Sequence, residues 1–300
     1  MYKYYILLFV FITSLFRAQT IDTLPQSHYK TRKIILGTAS IGITAGTLVY
    51  LNQAWYQQYN TGKFHTFNDN TEWKKMDKCG HALTTYQTGR LMMQAMNWAG
   101  CTKKNQIMIG GFSGLAYMTA IELMDGYSEG WGFSWGDMVA NTLGSSFAVS
   151  QKMIFDKQPI QLKFAFSPSP YAKYRTELLG KSFSEQLLKD YNGQTYWLSI
   201  NPTSFIKHET KFPNWLSFAV GYGANGMIGA KYNNIVIQDA EGNTKTFKRY
   251  NQYYFSLDAD LTRIKTKSKL LRSVFSWINI IKIPFPNIEL SEGKLKFNAY

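Results

Sequence analysis

The chain has 300 residues, 45% of them hydrophobic and 16% aromatic, which supplies a sizeable core and excludes disorder as the starting assumption. Lys and Arg number 33 against 19 Asp and Glu, a formal net charge of +14. That balance favours an anionic partner: a lipid headgroup surface, an acidic polymer or nucleic acid.

The chain opens on MYKYYILLFVFITSLFRAQT, with Lys3 in a short leading region, an apolar run over residues 6–15 that is free of charge and holds only Thr13 and Ser14 as polar residues, and small or polar residues around Ala18. A run of about ten residues is too short to cross a bilayer, which needs about 20. Residues 1–19 therefore read as a cleaved secretory signal. Export removes nucleic acid from the expected partners and leaves an anionic envelope surface or lipid. No cysteine stands near the cleavage position, so N-terminal lipid attachment is not expected. Cys79 and Cys101 flank one helical segment, roughly 30 Å apart if it is continuous, and are expected to be unpaired.

Residues 34–51, IILGTASIGITAGTLVYL, carry no charge and place Gly42 and Gly46 four apart, a spacing that lets helix backbones approach closely. A transmembrane helix and a buried core helix are both readings of this stretch. The core reading is favoured, because the basic KTRK before it would sit outside and invert the positive-inside preference. After a polar, aromatic connector come three more helical segments. Residues 83–98 stop at Gly100, residues 106–124 are uncharged up to Glu122, and residues 137–153 open on an acid after Ser134 and Gly136. Four helices with so few charges are expected to pack on one another.

Near Pro159 the hydrophobic period changes from helical to two. In NQYYFSLDADL, Tyr253, Phe255, Leu257, Ala259 and Leu261 share one face, and Gln252, Tyr254, Ser256, Asp258 and Asp260 the other, the pattern of a strand with one wet side. TYWLSINP and WLSFAVGYGANGMIGA alternate similarly, IQLKFAFSPSP and GKLKFNAY more weakly, and IVIQDAEGNTKTF reads as two short strands around a turn. A complete outer-membrane barrel needs at least about eight strands of about nine to eleven residues, more than these segments provide. An antiparallel sheet is expected, with a partial or small barrel as the alternative. Residues 263–281 form a basic amphipathic segment, with Arg263, Lys265, Lys267, Lys269 and Arg272 ahead of Leu270, Leu271, Val274, Phe275 and Ile278 on one helical face. Such a segment lies in a membrane interface or covers the sheet. From residue 157 onward 20 basic residues face 10 acidic ones, so +10 of the charge sits in this half.

One polar constellation stands out. Asp77 and His81, four apart, share a helix face beside Lys78; Glu122 ends an uncharged helix; Asp125 and Glu129 lie in a Gly-rich turn; Ser134, Asp137 and Asn141 open the next helix. All lie near ends of helices expected to pack together. Asp77, His81, Glu122 and Asp137 are the candidates for catalysis, as a divalent-metal shell or a general acid/base set. The plainer reading has Asp77 and Asp137 capping helices and His81 and Glu122 satisfying each other, within a structural cluster of Asp77, Lys78, His81, Glu122, Ser134, Asp137 and Asn141. His-Glu-x-x-His, Gly-x-Ser-x-Gly and phosphate-loop motifs do not occur, and no cofactor is predicted.

DKCGHALTTY followed by AIELMDGYSEGWGFSWGDMVANTLGS resembles the YfiM-like family of periplasmic lipoproteins, a domain of unknown function. It is also distantly similar to the VanZ-like membrane proteins, whose pattern is Asp-Lys-x-x-His, a later Glu at a helix end, then Ser-x-x-Asp-x-x-x-Asn-x-x-Gly. Here that pattern falls on Asp77, Lys78, His81, Glu122, Ser134, Asp137, Asn141 and Gly144, within residues 72–153. The resemblance implies an envelope location and a compact helical domain, and VanZ-like proteins are associated with glycopeptide resistance. The family's lipoprotein cysteine is absent, and residues 157–300 have no counterpart in the family core.

The sequence thus reads as an α+β protein: a signal over 1–19, a helical domain over 30–156 with about four apolar helices, and an antiparallel β-rich domain over 157–300. The expected function is a non-catalytic structural or interaction role at the periplasm and outer membrane. A metal-dependent or acid/base hydrolase acting on a lipid or cell-wall substrate is one alternative, and a small outer-membrane barrel with a helical cap is another.

Overall fold

Helix α1 (Gln26–Leu51) leads into three helices that pack together: α2 (Met76–Trp98), α3 (Ser113–Gly126) and α4 (Trp135–Phe155). The structure, a computed structural model, describes residues 26–56, 59, 61–206, 211–233, 237–238 and 244–299; the signal read over residues 1–19 and the terminal Tyr300 lie outside them. Helix α2 is central because small residues let its neighbours in. A Cβ on Gly144 would fall 2.2 Å from the Ala82 carbonyl oxygen, and one on Gly114 would fall 2.4 Å from that of Thr85, so α4 and α3 approach α2 backbone to backbone.

Helix α2 starts seven residues before the expected position. Trp73, Lys74 and Lys75 all have positive φ, and this tight left-handed turn, tied by Trp73 N–H to the Ala230 carbonyl at 2.7 Å, delivers the chain into the helix at Met76. The segment expected as one helix over 106–124 is a short helical piece, Lys103–Asn105, a π-turn, Gln106–Gly110, and then α3. Ser134 caps α4, its Oγ accepting from Asp137 N–H at 3.1 Å, and Gly100 (φ +71°) ends α2 as anticipated.

The core-helix reading of residues 34–51 is overturned. Helix α1 touches the end of α2 through its first half, where Leu36 packs with Met96 and Ala99, Tyr29 lies against Gly100 and Arg32 donates to the Trp98 carbonyl; Ile34, Ile41 and Val49 are exposed. Two helical stretches, His28–Leu51 and Lys103–Gly126, are long and apolar enough to cross a membrane, and little of the first is buried.

Beyond α4 the chain forms one antiparallel sheet in the order β1 (Ile160–Phe166), β2 (Gln194–Ile200), β3 (Leu216–Asn225), β6 (Tyr250–Ala259), β7 (Asn287–Ser291) and β8 (Lys294–Asn298). A separate pair, β4 (Ile237–Gln238) and β5 (Thr244–Lys245), flanks the expected turn, whose residues lie outside those described. The sheet is not closed, so the complete-barrel alternative does not hold: β1 and β8 are its edges, and β1 meets only an isolated bridge from Phe164 to Ile281. Helix α5 (Phe183–Lys189) leads into β2, and α6 (Lys269–Ile278) lies between β6 and β7.

The two faces of the sheet are reversed relative to the expected wet side. Register pairs Val220 with Phe255 and Leu198, and Phe255 with Ile288, which pairs with Phe297, so one face is apolar across all the strands. At β1 and β2 the helices cover this face: Leu162 packs on Tyr86, Met93 and Ala148, and Tyr196 on the cluster around Trp73 and Met76. The opposite, polar face is buried. There Lys163 Nζ lies 2.7 Å from Asp258 Oδ2 with both side chains wholly inaccessible, Ser199 donates to the same oxygen, and Asn279 accepts from Lys163 at 3.0 Å.

Candidate functional site

The first turns of α2 bring Asp77, Lys78 and His81 against the end of α3 and the start of α4. His81 is ringed by acceptors: Nδ1 is 3.2 Å from Asn141 Oδ1 and 3.5 Å from Glu122 Oε1, and Nε2 is 3.7 Å from Asp137 Oδ1 and 3.8 Å from Asp77 Oδ1. An imidazole carrying one ring proton serves only one of these sides. An imidazolium donates to both sides; otherwise the other side takes a proton from a carboxyl, or a cation.

Lys78 balances part of the charge, with Nζ 2.6 Å from Asp69, 2.8 Å from Asp137 and 3.1 Å from Asp77. Ser134 joins the layers: its Oγ donates to Asp69 at 2.7 Å, its N–H donates to Glu122 Oε2 at 3.1 Å, and it caps Asp137. All seven members of the sequence cluster, Asp77, Lys78, His81, Glu122, Ser134, Asp137 and Asn141, therefore meet in one place. Two assigned roles differ. Asp137 sits inside the first turn of α4, which Ser134 caps, and Asp77 caps nothing but accepts from Tyr191 Oη at 2.8 Å.

Burial dominates the electrostatics. It pushes the Glu122 carboxyl up to about 8, against the pull of His81, and the Asp137 carboxyl also up to about 8, reinforced by the charge of Asp77. Asp125 rises to about 6 from burial, while its hydrogen bond from Tyr56 Oη, 2.6 Å long, pulls the other way. For Asp77 burial is outweighed by His81, Lys78 and the Tyr191 hydroxyl, which hold the carboxyl below its ordinary range. Burial thus sets Glu122 and Asp137 well above Asp77, so the carboxyls of one site differ in how readily they ionise. Burial and the Asp77 charge raise the neighbouring Cys79 thiol to about 11, which leaves it a poor nucleophile, and both cysteines are free.

Polar demand in the site is unmet: Asn141 Nδ2 is buried without a hydrogen-bond partner among the described residues, and Glu122 Oε1, on a side chain 1% exposed, has the long 3.5 Å approach of His81 Nδ1 and no hydrogen bond. Three members of the cluster line a cavity of about 560 Å³, with Asp69, Glu72 and Asp125 beside them. Asp77, His81 and Asp137 form its polar end, and Leu83, Tyr117, Ile121, Leu187, Tyr196 and Ile280 contribute apolar wall. The cavity therefore lies between the helices and the first strands. One nitrogen of His81 and one oxygen each of Asp77 and Asp137 lie within 4.8 Å of one another, close enough to hold a metal ion.

The basic segment is placed elsewhere. Arg263 turns inward, pairing with Asp260 at 3.6 Å, bonding Ser204 and lining a second cavity of about 370 Å³, so it is not part of a free basic surface. Lys265, Lys267 and Lys269 are exposed, and Arg272 donates to the Thr266 carbonyl. Three site residues escaped the sequence reading. Asp69 lies in the polar connector, Tyr56 follows α1, and Tyr191 comes from the β half. No spacing rule ties any of them to Asp77.

This is an α+β protein whose helical half carries a buried histidine–carboxylate site facing a cavity. Residues 65–152 match the model of a family described as a predicted periplasmic lipoprotein (DUF2279), a span that takes in α2, α3, nearly all of α4 and all seven members of the cluster, but not Tyr56 or Tyr191. No curated protein and no solved structure matches the chain. The family description is consistent with an exported envelope protein.

Proposed function

We propose that this is a periplasm-facing protein of the cell envelope, resident at the outer membrane, that binds an amphipathic envelope molecule. The polar group of that molecule sits at Asp77, His81 and Asp137, and its apolar part runs along the wall from Ile121 to Leu187. One observation carries the reading: Asp77, His81 and Asp137 line a cavity with a long apolar wall, and behind them Asn141 Nδ2 is buried without a hydrogen-bond partner among the described residues. A cluster serving architecture alone would close its own hydrogen bonds. The YfiM-like and distantly VanZ-like pattern supports an envelope role for the helical unit.

A second reading, metal-assisted hydrolysis, is favoured by the close approach of ligand atoms from Asp77, His81 and Asp137. Asn141 and Glu122 on Nδ1 would then orient the ring so that Nε2 faces the ion, the arrangement usual for a ligating histidine. Lys78 would have to yield Asp137 Oδ1. Extraction of the purified full chain, followed by mass spectrometry of copurifying lipids and a metal assay, separates the two readings. A copurifying amphiphile that His81→Ala loses while remaining folded supports binding. Stoichiometric metal lost by the same variant supports hydrolysis. A wild type carrying neither, with a variant that merely melts lower, overturns both.

A further inference from the structure

We propose that the uncovered apolar face of the sheet, on β3, β6, β7 and β8, lies against the hydrocarbon of a bilayer, beside α1. The proposal stands apart from the cavity and rests on how the sheet is turned. In a sheet that faces water the apolar side is packed and the polar side is wet. Here Asp258, Ser256, Gln252 and Glu289 are buried, while Phe255 is 50%, Leu295 74% and Phe297 76% exposed. Dry outside and polar inside is the arrangement of membrane β-structure, where lipid replaces water as the outer solvent.

Three observations make the occupant lipid. First, the buried side holds paired charges: Lys163 pairs with Asp258, Gln252 donates to Glu289 at 3.0 Å, and Lys282 Nζ lies 4.8 Å from the centre of the Trp197 ring, although Trp197 Nε1 and Ser291 Oγ have no hydrogen-bond partner among the described residues. No slip of register would improve the sheet by turning its apolar side inward. Second, β3 and β6 are ten residues each, the length of about one membrane-crossing strand. Third, α1 is a helix of membrane-crossing length whose apolar residues are mostly exposed, so two elements of the same chain call for the same solvent. Charge is complementary as well, since the β half carries +10 and anionic headgroups draw basic protein toward the interface. The helical unit covers the same face at β1, β2 and the end of β3, where Tyr222 and Ala224 pack on Trp73 and Met76, so lipid contact begins beyond them, at Val220 and Phe255.

The test places an environment-sensitive NBD probe on Phe255→Cys, Leu290→Cys or Phe297→Cys, in the full chain carrying Cys79→Ala and Cys101→Ala. Each is mixed with vesicles of phosphatidylglycerol and phosphatidylethanolamine, and Lys248→Cys is the control, its side chain being 80% exposed. A blue shift at the three sheet positions, with quenching by acyl-chain doxyl lipids that Lys248→Cys does not show, is the expected result. Emission at the three positions that stays characteristic of water overturns the proposal. So does a blue shift that appears without lipid and rises with protein concentration, since a second copy would then cover the face. If the cysteine-free background does not fold, carbene photolabelling of the wild type from within the bilayer reads the same strands. Label on β6 and β8 peptides supports lipid contact, and label on α1 alone overturns it.

Discussion

His81 Nδ1 lies 3.2 Å from Asn141 Oδ1 across the α2–α4 interface, and that contact fixes which ring nitrogen faces Asp77 and Asp137. Asn141 is fully buried, so its carbonyl has no water to fall back on. Asn141→Leu should lower stability by about 1–3 kcal/mol, the cost of leaving a buried partner unpaired, and should weaken ligand retention at the same time. Thermal unfolding together with quantification of copurifying lipid checks both effects; a variant as stable as wild type would mean that the ring needs no such orientation.

The raised carboxyls give stability a definite pH dependence. Glu122 titrates near 8 in the folded protein against an ordinary value of 4.5, and Asp137 near 8 against 3.8. Between those limits the folded state binds more protons than the unfolded chain, so stability falls as pH rises toward about 8 and levels off above it. The melting temperature should therefore decline across this window, and Glu122→Gln, which cannot ionise, should flatten part of the decline. An equal slope in the variant would remove Glu122 as the source.

Lys163 and Asp258 are both wholly buried. Asp258→Leu should cost about 3–5 kcal/mol, because it leaves an ammonium buried without its counter-ion. Lys163→Met combined with Asp258→Leu should recover much of that loss. Unfolding of the four proteins of the cycle in detergent measures the coupling, and additive losses would show that the pair is not coupled.

Gly144→Ala should destabilise the helical unit by about 1–3 kcal/mol, since the new methyl would lie 2.2 Å from both the Ala82 carbonyl oxygen and Thr85 Oγ1. Gly37→Ala, with nothing within 4 Å, should be neutral or stabilise α1 by about 0.5–1 kcal/mol. Denaturant unfolding of the pair separates close packing from helix propensity.

The helical half was largely legible because its signals are local. Ser134 before Asp137, Gly100 after Trp98 and the four-residue spacing of Asp77 and His81 each act within a turn. The start of α2 was not, because the positive φ angles at 73–75 are held by a contact to Ala230, far along the chain. Strand β7 escaped as five residues, NIELS, too short for its alternation to register after IPFP. Alternation in β6 divided the side chains correctly between two faces, but period two cannot say which face is inside. That choice depends on the solvent outside the sheet, which the residues of one strand do not encode. Tyr191 was invisible for a related reason: its bond to Asp77 spans 114 residues.

That bond also separates what the chain shares from what is its own. The family match stops at residue 152, so it takes in Asp77, His81, Glu122 and Asp137 but not Tyr191, Leu187, Tyr196 or Ile280. A fragment ending there would keep the ionisable groups and lose the far wall that gives the cavity its shape. The matched span thus takes in the polar end of the cavity, and the sheet half supplies its far wall, so a different C-terminal half on the same helices would reshape the cavity while leaving Asp77, His81 and Asp137 in it.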